Sequence, residues 1–144
     1  MYMINHSLIK ERISEIRQAI EGLKSLAALE KNEFLGDLNW CDSAKYKLIV
    51  AIEAAISICN HIAARKFKKA PESYADCFLM LGDLKVISKE LSEKLSNMAK
   101  FRNMLVHIYW QIDNEKVYEI LNNNLIDLED YIKELKKFIQ NNSL

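Results

Sequence analysis

The chain has 144 residues, room for one domain with its own core but not for two. Half of its residues are hydrophobic and 28% are charged, which excludes a disordered chain, and 3 Gly with 1 Pro are too few for the turns of a β-sandwich or barrel. Twenty basic and twenty acidic side chains cancel, so any hold on nucleic acid has to come from a local patch.

Leu8, Ile9, Ile13, Ile16, Ile20, Leu23 and Leu26 recur at helical steps, which predicts a first helix from Asn5, its N-cap, to about Glu30. A short break over Lys31–Asp37 follows, with Gly36 at the turn. The second helix is expected from near Asp42 to near Lys66. Between Leu48 and Ala64 only Glu53, Ser57, Asn60 and His61 are polar, one narrow stripe on an otherwise apolar helix, so this helix is central. It ends in the basic cluster Arg65, Lys66, Lys68 and Lys69, and Ala70-Pro71 stops it. Ser73 and Asp76 form a capping box for a third helix through about Leu81, closed by Gly82. Ser88 opens a fourth, with Glu90 in its first turn, that reaches His107. Ile108–Ile112 is a break, and Asp113 caps a fifth helix whose stripe runs from Val117 through Leu121, Leu125, Leu128 and Leu135 to Ile139, with Gln140–Leu144 fraying. Residues 1–144 thus read as one all-α domain, a single antiparallel bundle of four to five helices.

Cys41, Cys59 and Cys77 are an odd set without a CxxC, so they read as three small buried apolar residues and neither a disulfide framework nor a zinc site. The longest uninterrupted apolar run, Leu48–Ile52, is far short of the roughly 18 residues of a membrane span. Met1–Arg12 lacks the pattern of a secretory signal. The expectation is a cytoplasmic protein without a membrane partner. No Gly-rich phosphate loop and no HExxH is present, so neither a cofactor nor a metal site is expected.

Chemistry concentrates in Phe101–Trp110, which places Arg102, Asn103, His107 and Tyr109 near the end of an apolar helix. On a helical wheel Arg102 and Tyr109 lie about 20° apart, and Asn103 and His107 about 40° apart, two adjacent polar rows beside one groove. By itself Arg-x4-His is a weak pattern: a solvated arginine and a histidine at a helix C-terminus satisfy it. Its chemical content is larger. A guanidinium grips phosphate through parallel N–H bonds, and an imidazole can take the proton from a ribose 2′-OH or give one to a leaving 5′-oxygen. The Asn103 amide can orient that imidazole or bond a phosphate oxygen. These groups suffice for metal-independent RNA cleavage.

The string Arg102-Asn103-x-x-x-His107-x-Tyr109 resembles the Arg-x4-His-x-Tyr motif of HEPN-domain ribonuclease toxins of the HepT type. Ile52-Glu53-Ala54-Ala55-Ile56, Pro71-x-Ser73-Tyr74 and Met98-Ala99-x-Phe101-Arg102-Asn103 extend the similarity over about residues 4 to 140. The resemblance implies a toxin-type endoribonuclease that works as a homodimer, with two copies of Arg102 and His107 lining one RNA cleft. It also implies an MntA-like nucleotidyltransferase antitoxin that silences the toxin by adding AMP to Tyr109. Each added AMP carries a charge of about −1, which Arg102 can bind in place of RNA phosphate. The alternative is a non-catalytic helical substrate-binding partner of such a transferase, and a third reading is a purely structural dimer.

Lesser signals have plainer readings beside the functional ones. Glu53 is either part of a solvent-facing strip or the carboxylate that holds Arg102. His6 and His61 are lone histidines at surface or satisfied positions. The Arg65, Lys66, Lys68 and Lys69 cluster is a solvated helix end or a local positive field for RNA. Tyr2, Ile4, Trp40, Ile108 and Trp110 are candidates for an apolar dimer surface.

Overall fold

The structure, a computed structural model, describes residues 4–142. Its chain order is α1 (His6–Ala27), α2 (Lys31–Leu35), α3 (Leu38–Phe67), α4 (Tyr74–Asp83), α5 (Lys89–His107), a 3-10 turn (Tyr109–Gln111), α6 (Asn114–Asn123) and α7 (Leu125–Asn141). Four of the expected helix starts are made by the residues named for them. Asn5, Ser73, Ser88 and Asp113 sit in extended backbone, and their side chains accept from Leu8, Asp76, Leu91 and Glu115 N–H.

The count of four to five helices is corrected to seven α-helices among the described residues. The supposed break after α1 contains α2, which lays Phe34 into the core beside the Tyr118 ring, 5.3 Å between centroids. The supposed fifth helix divides at Asn124, whose side chain bonds Asp127 as the chain re-enters a helix. The second helix starts earlier than Asp42, because Asp37 caps it by accepting from Asn39 N–H.

At the centre of the bundle lies α3. By length and composition it could cross a membrane, but 56% of its most apolar window is buried within the bundle, so here it is the core helix. It runs antiparallel to α1: Asn5 meets His61, and Arg12 meets Ser57. His61 is therefore a satisfied structural residue. Its Nε2 accepts from the Asn5 backbone N–H at 2.9 Å, and burial together with Arg65 holds its pKa below the usual histidine value. Ile16, Leu23, Leu48, Ile52, Ile58, Leu95, Leu105 and Leu128 are among the wholly buried side chains. Tyr131 joins them and donates its hydroxyl to the Ala55 carbonyl at 3.0 Å.

Two further expectations change. Cys59 of α3 and Cys77 of α4 are joined as a disulfide, with Cα atoms 6.3 Å apart, because the two helices cross there. Only Cys41 is the free buried apolar residue expected of all three. Gly82 does not close α4 but lies inside it. The chain turns instead through Lys85 in the left-handed region, φ 63°. At Gly82 the two helices α4 and α5 pack closely, since a Cβ there would stand 2.6 Å from the Ser92 Cβ. Gly82→Ala is accordingly expected to cost about 1–3 kcal/mol in chemical denaturation despite its better helix propensity. Unchanged stability would mean that the crossing opens freely.

Candidate functional site

The end of α5 packs against α3 in antiparallel sense, and that register builds the site. Arg102 reaches Glu53: Nη2 donates to Oε1 at 2.6 Å. Seven residues on, the Tyr109 hydroxyl donates to Asp42 Oδ1 at 2.7 Å. The two acceptors on α3 are three turns apart, about 16 Å along its axis. Arg102 and Tyr109 do share a face, as the wheel predicts, but they occupy opposite ends of it.

The Arg102 guanidinium is well fixed. Besides Glu53 it donates through Nη1 to Asn103 Oδ1 at 3.1 Å, and its Cζ lies 5.4 Å from the Tyr74 ring centroid. Its side chain is 16% exposed, while that of Glu53 is 47% exposed, so the pair orients more than it stabilises. Arg102 Nε is buried and has no hydrogen-bond acceptor among the described residues. Asn103, expected to orient the imidazole or to bond a phosphate oxygen, has its Oδ1 engaged by Arg102. Arg102 also lines a shallow cavity of about 370 Å³ with Glu53, Ile56, Ser57, Asn60 and Tyr74. Three of the four residues of the narrow polar stripe of α3, Glu53, Ser57 and Asn60, thus line this cavity.

His107 is the last residue of α5 and is exposed. No protein group among the described residues hydrogen-bonds its ring, which leaves both nitrogens for a substrate. Helical geometry ends at Ile108, φ −132°, and Tyr109 begins the 3-10 turn, the loosening expected there. Burial and the Asp42 hydrogen bond push the Tyr109 hydroxyl up to about 12. Lys45 holds the turn from below: its Nζ donates to the Tyr109 carbonyl at 3.2 Å and lies 4.4 Å from the ring centroid.

Other sequence candidates are not brought together. Arg65, Lys66, Lys68 and Lys69 are exposed at the C-terminal end of α3, beyond Asn60, and none lines the cavity. Of the apolar surface candidates, Ile4 is buried and Tyr2 lies outside the described residues. Trp40 is exposed, Ile108 half-buried, and Trp110 is 78% exposed beside the motif. Sequence reasoning missed Tyr74, Asp42, Lys45 and Arg12. Arg12 donates to Ser57 Oγ at 3.1 Å and so braces the cavity floor from α1. The spacing Asp42-x10-Glu53, three whole helical turns, was the available signal for the first pair of partners. No group of three or more His, Cys, Asp or Glu among the described residues is arranged to hold a metal ion.

Comparison with known proteins gives these residues a family. The chain is 28% identical over 131 residues to the mRNA nuclease HepT of Shewanella oneidensis, covering 91% of this chain and 98% of that one. It is 24% identical over 141 residues to the tRNA nuclease HepT of Aphanizomenon flos-aquae, covering 96% and 95%. A structure of the tri-AMPylated Shewanella oneidensis HEPN toxin in complex with MNT antitoxin superposes with a TM-score of 0.85 at 28% identity, over 92% of this chain and 99% of that one. The Bacillus subtilis cytosolic protein YutE shares the fold, with a TM-score of 0.81 at 19% identity, over 99% and 95%. The ribonuclease HepT-like family model matches residues 16–135, a span that contains Glu53, Arg102, His107 and Tyr109, and the chain therefore belongs to the HepT-like ribonucleases.

Proposed function

We propose that this ribonuclease is the toxin of a toxin–antitoxin pair and cleaves RNA without a metal ion, Arg102 holding the scissile phosphate and His107 moving the proton. The observation that carries this reading is a fixed guanidinium and an unengaged imidazole, both on the last turns of α5. Glu53 and Asn103 occupy two of the five guanidinium N–H groups and hold its plane, while others remain for phosphate oxygens. His107 takes the 2′-OH proton as that oxygen attacks phosphorus and returns a proton to the departing 5′-oxygen. The exposed basic end of α3 supplies the positive field that a neutral molecule otherwise lacks.

A homodimer brings two such constellations to one groove. Tyr46, Met104, Val106 and Trp110 are large exposed apolar residues around the motif, and they offer the surface a self-complementary interface needs. The partner that silences the toxin is an MntA-like nucleotidyltransferase, which adds AMP to Tyr109. The related toxin described as tri-AMPylated and bound to MNT antitoxin supports this. Successive adenylates on Tyr109 fill the groove past His107 toward Arg102 and exclude RNA. The reaction belongs in the cytoplasm, with RNA as substrate.

The test is product chemistry. Attack by the 2′-OH leaves 5′-hydroxyl ends and fails on a substrate with a 2′-deoxy sugar at the scissile nucleotide; 5′-phosphate ends would overturn the mechanism. Tyr109→Phe is expected to remain an active ribonuclease that the transferase no longer silences. Intact mass after incubation with transferase and ATP should show AMP on the parent and none on the variant. Full modification of the variant at another residue would remove Tyr109 from regulation.

A further inference from the structure

The surroundings of Tyr109 carry more than an acceptor for AMP. Asp42 is exposed on the second turn of α3, and it accepts the Tyr109 hydroxyl at 2.7 Å, so the phenol and its carboxylate partner meet at the solvent edge. Lys45, one turn further on the same helix, is buried to 5% exposure against the Tyr109 ring and carbonyl. Among the described residues no carboxylate stands within ion-pair distance of that ammonium. A buried cation without a paired carboxylate is unfavourable unless negative charge lies close by. Here the nearby sources are Asp42 and, once its proton leaves, the Tyr109 oxygen.

We propose that Asp42 is the proton acceptor for Tyr109 during AMP addition and that Lys45 is the positioning residue that holds the phenol on it. This rests on the reading of Tyr109 as the modified residue. In the step, the bond from the Tyr109 oxygen to the α-phosphorus of ATP forms. The bond from that phosphorus to the oxygen bridging the β-phosphorus breaks, and pyrophosphate departs with the electron pair. The hydroxyl proton passes to Asp42 Oδ1. The transferase brings ATP; the toxin brings a nucleophile already hydrogen-bonded to its base. The titratable groups facing the phenol, Cys41, Asp42 and Lys45, all come from α3. Burial and Asp42 keep the hydroxyl protonated at neutral pH, so free phenolate is scarce and proton loss has to accompany attack.

Asp42→Asn keeps an acceptor oxygen and the shape but removes the basicity. The assay uses an MNT-type transferase that modifies the parent chain, with ATP and Mg²⁺, and reads initial AMP incorporation by intact mass. Asp42→Asn should slow incorporation by about 10²–10⁴-fold, and its rate should climb between about pH 7 and 9 while that of the parent stays flat. Asp42→Glu, which restores a carboxylate, should recover part of the rate. Lys45→Met should slow incorporation with the flat profile retained. Thermal unfolding of each variant reports any loss of fold. Asp42→Asn modified at the parental rate and with the parental pH profile would overturn the proposal, while an unmodified Tyr109→Phe in the same assay leaves Tyr109 as the acceptor. AMP on Tyr109→Phe would instead overturn the reading beneath it.

Discussion

His107→Ala is expected to abolish RNA cleavage, lowering kcat/KM by at least the roughly 10²–10⁴-fold of a lost general acid–base group. The fold should be indifferent. The ring is exposed and bonds no protein group among the described residues, so helical content, oligomeric state and denaturation midpoint should match those of the parent. This separation makes the experiment decisive, because loss of activity cannot then be traced to unfolding. A variant that cleaves at the parental rate would remove His107 from the mechanism. Activity of the parent should also survive EDTA, and loss on chelation that added metal restores would overturn the metal-free reading.

Arg102→Lys should be nearly as damaging as Arg102→Ala, although it retains the charge. Lysine is a point charge without the planar fork. It cannot at once meet Glu53 at 2.6 Å, bond Asn103 and present further N–H groups to phosphate. The ring contact with Tyr74 weakens as well. Glu53→Gln provides the companion measurement. It keeps an acceptor for Nη2, so its loss of kcat/KM should be smaller than that of Glu53→Ala. Near-complete activity in Arg102→Lys would reduce Arg102 to a source of long-range field.

Four helix starts were legible because each is written locally: a Ser, Asn or Asp side chain bonds a backbone N–H two or three residues on. The division at Asn124 was not. Leu121 and Leu125 are one turn apart, so the apolar stripe passes straight through the break and periodicity cannot see it. Gly82 misled for a similar reason. A glycine near a helix end reads as a stop, whereas its actual constraint is the Ser92 side chain on another helix. The motif's two rows followed from the wheel, and Glu53 was a candidate because it interrupts an apolar helix. Lys45 and Tyr74 stayed hidden because their roles depend on the register between α3, α4 and α5, and Asp42 left only its three-turn spacing from Glu53 on α3 as a trace.

The apolar character of α3 also has a consequence for biosynthesis. As the chain leaves the ribosome, α1 and α2 are already available to cover one side of α3, and the antiparallel α1–α3 pair can form before any later helix is made. The side that receives α4 and α5 stays bare until His107 has been made. A transcript cut short within that interval yields a product with a greasy, unpartnered helix, and such species aggregate or fall to proteases. The turns of α5 that carry Arg102 and His107 settle on α3 before α7 exists to bring Tyr131 to the Ala55 carbonyl, so a fragment that lacks its nuclease residues also lacks a finished core to protect it.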